Sequence, residues 1–170
     1  VMLKGPALGE RLFGGAANRG YWDLDILVHE HDREYAGRLL EEKGFRRTSS
    51  VLCGERMSAL FVHGFDYERH DLKVDLHWCL SRAPGLRVDS SAMMRRATMF
   101  NVGGRKTPVL AVEDELVFEL VSMFADLQRG GLRLQAFVDL WAMLRELPGI
   151  VWEEFFARRK VEGCEAACRG

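Results

Sequence analysis

The sequence has no excess of charge of either sign: 24 Lys and Arg stand against 25 Asp and Glu, a net charge of −1. That balance excludes the basic footprint of a dedicated nucleic-acid binder. The short runs Arg46-Arg47 and Arg158-Arg159-Lys160 read as solvated surface. There is no apolar run near the roughly 20 residues of a membrane span, and no signal-peptide pattern. The four cysteines, Cys53, Cys79, Cys164 and Cys168, form no CxxC and no paired Cys/His spacing. Free thiols are expected rather than structural zinc, in a reduced cytoplasmic protein. Internal repeats and low-complexity segments are also absent.

What remains is 170 residues, 48% of them apolar, enough for one sizeable core. The chain opens on Val1 in an apolar run and stops at Gly170 without a clear end signal, so a fragment of a longer protein is expected. Val1 to Lys4 reads as a short strand. Pro6 opens a helix striped by Leu8, Leu12 and Phe13 and stopped by Gly14-Gly15. Asp23 to His29 reads as a strand, and 32–43 as a helix capped by Gly44. Short strands follow, with Met57–Val62 a candidate, Leu72–Leu80 the clearest, and turns at Gly54 and Gly64. Asp89 N-caps a short helix to Arg96. Met99–Val102 and Thr107–Leu110 flank Gly103-Gly104 as a hairpin.

Beyond Val112 the pattern is helical. Leu116, Val117, Leu120, Val121, Phe124 and Leu127 stripe one helix, broken at Gly130-Gly131. Leu134, Phe137, Val138, Trp141 and Leu144 stripe the next, stopped at Pro148-Gly149, and Trp152, Phe155 and Phe156 open a third. These stripes are expected to be buried. The division is an α+β unit over 1–110 and a helical region over 111–170 packed on it.

Chemistry gathers in three places. In Asp23-Leu24-Asp25-Ile26-Leu27-Val28 the two acids are two apart, so on a strand they share a face while Leu24, Ile26 and Val28 face the core. Two carboxylates that close are stabilised by a hard divalent cation. In Leu72-Lys73-Val74-Asp75-Leu76-His77-Trp78 the pattern repeats, with Asp75 and His77 on one face. Were the strands adjacent, Asp75 would join Asp23 and Asp25, and three carboxylates can hold two metal ions. In Lys4-Gly5-Pro6-Ala7 a strand turns into a helix, where backbone amides favour phosphate and Gly5 allows it close approach.

Some residues read two ways. Lys4 is either a solvated strand-end lysine or a phosphate ligand. Arg19 either pairs with a surface carboxylate or contacts phosphate or Asp23. His77 is either a half-buried strand histidine or a group supporting Asp75 or touching substrate. His29, His31, His63 and His70 lack ligand spacing and read as surface. Asp139, inside an apolar helical stripe, reads as a cap or salt-bridge partner.

Met2-Leu3-Lys4-Gly5, Arg19-Gly20-Tyr21-Trp22-Asp23-Leu24-Asp25-Ile26-Leu27-Val28, Val74-Asp75-Leu76-His77-Trp78 and Phe137-Val138-Asp139-Leu140 together resemble the nucleotidyltransferase superfamily related to DNA polymerase β. More narrowly, they resemble bacterial nucleotidyltransferase family proteins with a Lys-Gly turn and an Asp-x-Asp. The resemblance implies a mixed β-sheet flanked by helices and transfer of a nucleoside monophosphate from an NTP. Asp23, Asp25 and Asp75 would be catalytic and bind magnesium or manganese. Gly5, with Lys4, would bind phosphate; Arg19 and His77 are candidates for the same nucleotide site on the reading of the residues above, beside their other readings. The acceptor hydroxyl or phosphate is not named by the sequence: a small molecule, peptide or protein is expected, the balanced charge disfavours nucleic acid, and no membrane partner is expected. Two other functions fit these residues: an inert nucleotide- or partner-binding module, and a metal-dependent phosphoesterase.

Overall fold

A computed structural model describes residues 1–48, 62–81, 86–128, 130–131, 133–147 and 149–169. Cys53, the Gly54 turn, Pro148 and nearly all of the strand expected over Met57–Val62 lie outside these residues.

Four strands form a mixed sheet in the order β1 (Leu24–Leu27), β4 (Leu72–His77), β3 (Gly64–Arg69), β2 (Arg46–Arg47). β1 runs parallel to β4, and the other neighbours are antiparallel. β3 was not singled out in the sequence, although Phe65 and Tyr67 alternate with Asp66 and Glu68 as in a half-buried strand. It returns to β4 through a two-residue turn at His70-Asp71, and His70 has a φ of 53°. That turn sets the register, placing Asp66 opposite Asp75.

The chain start lies antiparallel along the free edge of β1. Leu3 N donates to Asp25 O at 3.0 Å and Leu27 N to Val1 O at 2.8 Å. Met2 N reaches Pro108 O at 2.8 Å and so joins this edge to a separate hairpin, β5 (Thr98–Val102) and β6 (Arg105–Val109). The Lys4-Gly5 turn is thereby fixed beside Asp25.

Alternation along β4 separates core from chemistry. Val74 and Leu76 pack with Phe65, Tyr67 and Trp78 against Ala36 and Leu40 of α2 (Arg33–Glu42). Asp75 and His77 leave by the opposite face, toward α4 (Val112–Gln128), where Phe118 meets His77 edge-on at 6.4 Å. Between them in sequence, α3 (Ser90–Arg95) is capped by Asp89, whose Oδ1 accepts from Ala92 N at 2.8 Å. The main core joins α1 (Pro6–Leu12) and the chain start to α4, α5 (Leu134–Glu146), α6 (Trp152–Glu162) and α7 (Glu165–Arg169), through Leu3, Leu8, Leu116, Met143, Phe155 and Cys168. No helix of the described residues is long and apolar enough to cross a membrane.

Three expected stripes are corrected, the one on α6 only at Trp152, which is exposed while Phe155 beside it is buried. On α5 the apolar residues Leu134, Phe137, Val138, Trp141 and Leu144 are exposed, while Ala136, Asp139, Ala142 and Met143 are buried. The small residues allow close approach to α4, and Asp139 is drawn inward by a charged partner. On α4, Leu127 is exposed, whereas Asp114, Glu115 and Glu119 are buried beside Leu116 and Val117. Each of these acids meets a cation: Arg96, Arg11 and Lys4 respectively.

Candidate active site

Parallel pairing of β1 with β4 puts Asp25 directly beside Asp75 and Leu27 beside His77. His77 Nε2 lies 2.9 Å from Asp25 Oδ1 and 3.6 Å from Asp75 Oδ2. One potential ligand atom from each of the three lies within 4.8 Å of the others. His77 is buried, and the two aspartates are half-buried on the floor of a cavity of about 800 Å³. His63 stacks on His77 with ring centroids 5.4 Å apart. Two carboxylates and an imidazole suit a divalent cation, and a three-ligand set leaves positions for substrate oxygens.

Electrostatics distinguish the acids. Burial alone would raise Asp25, but the His77 hydrogen bond and the charges of His77, Lys4 and Arg19 hold it below the usual carboxylate range. Asp75 is pushed up to about 7 by burial, by a hydrogen bond shared with Asp66 and by repulsion from Asp66 and Asp25, with His77 opposing. Partial burial and Asp25 raise Asp23, against Arg133 and His77.

Asp23 stands one residue before β1, at an exposed bend, rather than on the strand with Asp25. It lines the same cavity, outside the Asp25–Asp75–His77 cluster. Gly5 also lines the cavity and N-caps α1 with φ 62° and ψ −131°. A Cβ there would meet Asp23 O at 3.6 Å, an ordinary contact. Lys4 is buried rather than solvated: its Nζ pairs with Glu119 Oε2 at 2.7 Å and lies 4.5 Å from the Phe118 ring centre. Arg19 is buried as well. It forks onto Asp139, Nε to Oδ1 at 2.9 Å and Nη2 to Oδ2 at 2.6 Å. Its partner is therefore an interior carboxylate and not a surface one.

Sequence reasoning missed the cavity wall contributed by Phe118, Glu119, Ser122 and Asp126 of α4, by Gln135 and Ala136 of α5 and by Arg133 just before α5. An acid inside the apolar run Leu116–Val121 was the available signal. It also missed Asp66, which the His70-Asp71 turn could have placed by counting equally outward to Asp75.

The profile of a family described as uncharacterised nucleotidyltransferase matches residues 1–169. No curated protein matches the sequence. Among solved structures, the solution structure of the antibiotic-resistance factor ANT(2″)-Ia has a TM-score of 0.61 at 15% identity, covering 94% of this chain and 79% of that one. The crystal structure of ANT(2″)-Ia with adenylyl-2″-tobramycin gives 0.61 at 14% identity, with coverages of 94% and 84%. An antigenic nucleotidyltransferase-like protein from Paracoccidioides brasiliensis gives 0.51 at 16% identity, with coverages of 99% and 83%. These likenesses establish a shared fold, an α+β architecture with a mixed sheet flanked by helices.

Proposed function

The chain belongs to the family of uncharacterised nucleotidyltransferases, enzymes of the transferase class, and from that premise we propose that it moves a nucleoside monophosphate from an NTP to the hydroxyl of a small molecule. The observation that carries this reading is the convergence of Asp25, Asp75 and His77 on the floor of one cavity, beside Asp23 and Gly5. Asp25, Asp75 and His77, with Asp23 at the lip, would hold magnesium or manganese. Such ions supply charge neutralisation on the triphosphate and lower the barrier to in-line displacement at the α-phosphorus. The bond from the acceptor oxygen to phosphorus forms as the bond to pyrophosphate breaks.

The residues of the chain divide the rest. Asp25, held ionised, and Asp23 face the nucleotide. Asp75, level with Asp25 on the adjacent strand, would take the acceptor's proton or hold the ion that acidifies it. Lys4 and Gly5 border the phosphates, and Arg19 adds a fixed cation. A structural neighbour holds an adenylylated small molecule, adenylyl-2″-tobramycin, which supports a small-molecule acceptor here.

The test is product analysis with each NTP, magnesium and a panel of polyhydroxylated acceptors. Pyrophosphate release that depends on acceptor and is lost in Asp25→Asn is expected. Release of inorganic phosphate with water as acceptor indicates a phosphoesterase instead. Nucleotide binding without release of either product indicates an inert binding module.

A further inference from the structure

The cavity wall contains an ion pair that links its two halves. Arg19 precedes β1 by five residues and Asp23 by four, in the segment that carries the cavity lip. Asp139 comes from α5, 120 positions later. Both are buried, at 8% and 1% relative exposure, and both line the cavity. A buried pair recovers its desolvation cost only with good geometry and further hydrogen bonds. Here the fork has two bonds of 2.9 and 2.6 Å, and Gln135 Nε2 donates to Asp139 Oδ1 at 2.8 Å.

The fork fixes more than charge. It takes the Nε–Nη2 edge of the guanidinium and leaves Nη1 with one long contact, 3.4 Å to Gly20 O. A guanidinium carries five N–H donors in fixed directions, so a locked edge aims the others. Among the described residues, the other lysine and arginine that line the cavity differ. Lys4 is drawn onto Glu119 and Phe118. Arg133 has a side chain 73% exposed, 3.4 Å from Asp126.

We propose that Asp139 is a positioning residue for the nucleotide: it locks Arg19 so that the N–H groups left over by the fork meet a phosphate of the NTP. This rests on the nucleotidyl-transfer reading above. The helical region then shapes the nucleotide site without touching the nucleotide through Asp139. A lysine could not serve in place of Arg19, because an ammonium has no second edge to aim.

The test compares wild type, Asp139→Asn, Arg19→Lys and the exchange Arg19→Asp/Asp139→Arg. Three quantities are measured on each: melting temperature, Mn²⁺ binding without nucleotide, and binding of a non-hydrolysable NTP with Mn²⁺. Asp139→Asn and Arg19→Lys are expected to bind Mn²⁺ alone as wild type does and NTP about tenfold more weakly or worse. The exchange restores an ion pair but moves the cation to α5, so it recovers melting temperature without recovering NTP binding. Recovery of NTP binding in the exchange, or wild-type NTP binding in Asp139→Asn, overturns the proposal and leaves a purely structural pair. Should Asp139→Asn not fold, Arg19→Lys decides: unchanged NTP binding overturns the proposal. A wild-type protein that binds no NTP overturns the nucleotidyl-transfer reading and this proposal with it, whereas NTP binding by wild type that the variants retain undiminished overturns this proposal alone.

Discussion

Two residues show how backbone and burial override a chemical reading of the sequence. Gly5 was legible as a turn that lets phosphate approach, but its φ of 62° and ψ of −131° place it in a region that glycine alone adopts readily. A side chain at this position strains the backbone before it meets any ligand. Gly5→Ala is expected to cost about 1–3 kcal/mol of stability in denaturant titration, and any loss of NTP binding in that variant must be read after correction for unfolding. Glu115 had no signal beyond its place at a helix start. Burial pushes it up to about 7, against Arg11, Lys4 and Arg19 and with Glu119 adding repulsion. One oxygen accepts from Arg11 at 3.1 Å and the other is buried without a partner. Folding therefore takes up a proton at Glu115 between its ordinary 4.5 and about 7. Its contribution to stability is fully present below the lower value and is lost as pH rises through the upper one, by roughly 3 kcal/mol at most. Asp23 and Asp75 are raised too and act with the same sign. The difference between wild type and Glu115→Gln isolates the Glu115 share. Chemical denaturation at pH 4.5 and pH 8 should show a smaller fall for the variant, and equal falls would remove Glu115 from the account.

At the scale of elements, period-two alternation was the reliable signal. It placed Val74, Leu76 and Trp78 on one side of β4 and Asp75 and His77 on the other, as the structure does. Helical stripes were less reliable, because they assume that apolar means buried. On α5, Ala136, Ala142 and Met143 face inward while Leu134, Phe137, Val138, Trp141 and Leu144 remain outside. Close packing by small residues leaves no periodic signal. Gly37 on α2 makes the same point quantitatively. Helix propensity alone predicts that Gly37→Ala stabilises by about 1 kcal/mol. A Cβ there would lie 2.6 Å from the hydroxyl of Tyr67, itself buried under the helix. Overpacking of this kind costs about 1–3 kcal/mol, so net destabilisation is expected, with part of it recovered in Gly37→Ala/Tyr67→Phe. Thermal melts of the two variants decide between propensity and packing.

Across the whole molecule, the elements that carry Asp25 and Asp75 were legible because their strands alternate and because the motifs resemble a known family. Their meeting was expected only on condition that the strands are neighbours and through that resemblance; what the sequence did not carry is the parallel pairing of β1 with β4 that sets Asp25 level with Asp75. Nor did it carry the wall formed by α4 and α5, which rests on the pairs Lys4–Glu119 and Arg19–Asp139, each between residues more than 100 positions apart. Such pairs have no local pattern in a single sequence. The central claim is that Asp25 and Asp75 hold a divalent ion for nucleotidyl transfer. It is tested most directly by titrating Mn²⁺, followed by its electron paramagnetic resonance signal, into wild type, Asp25→Asn and Asp75→Asn, each saturated with a non-hydrolysable NTP. Tight Mn²⁺ binding by the wild-type complex is expected, with a loss of about tenfold or more in Asp25→Asn and a separate loss in Asp75→Asn. Mn²⁺ affinity unchanged in both variants would contradict the claim.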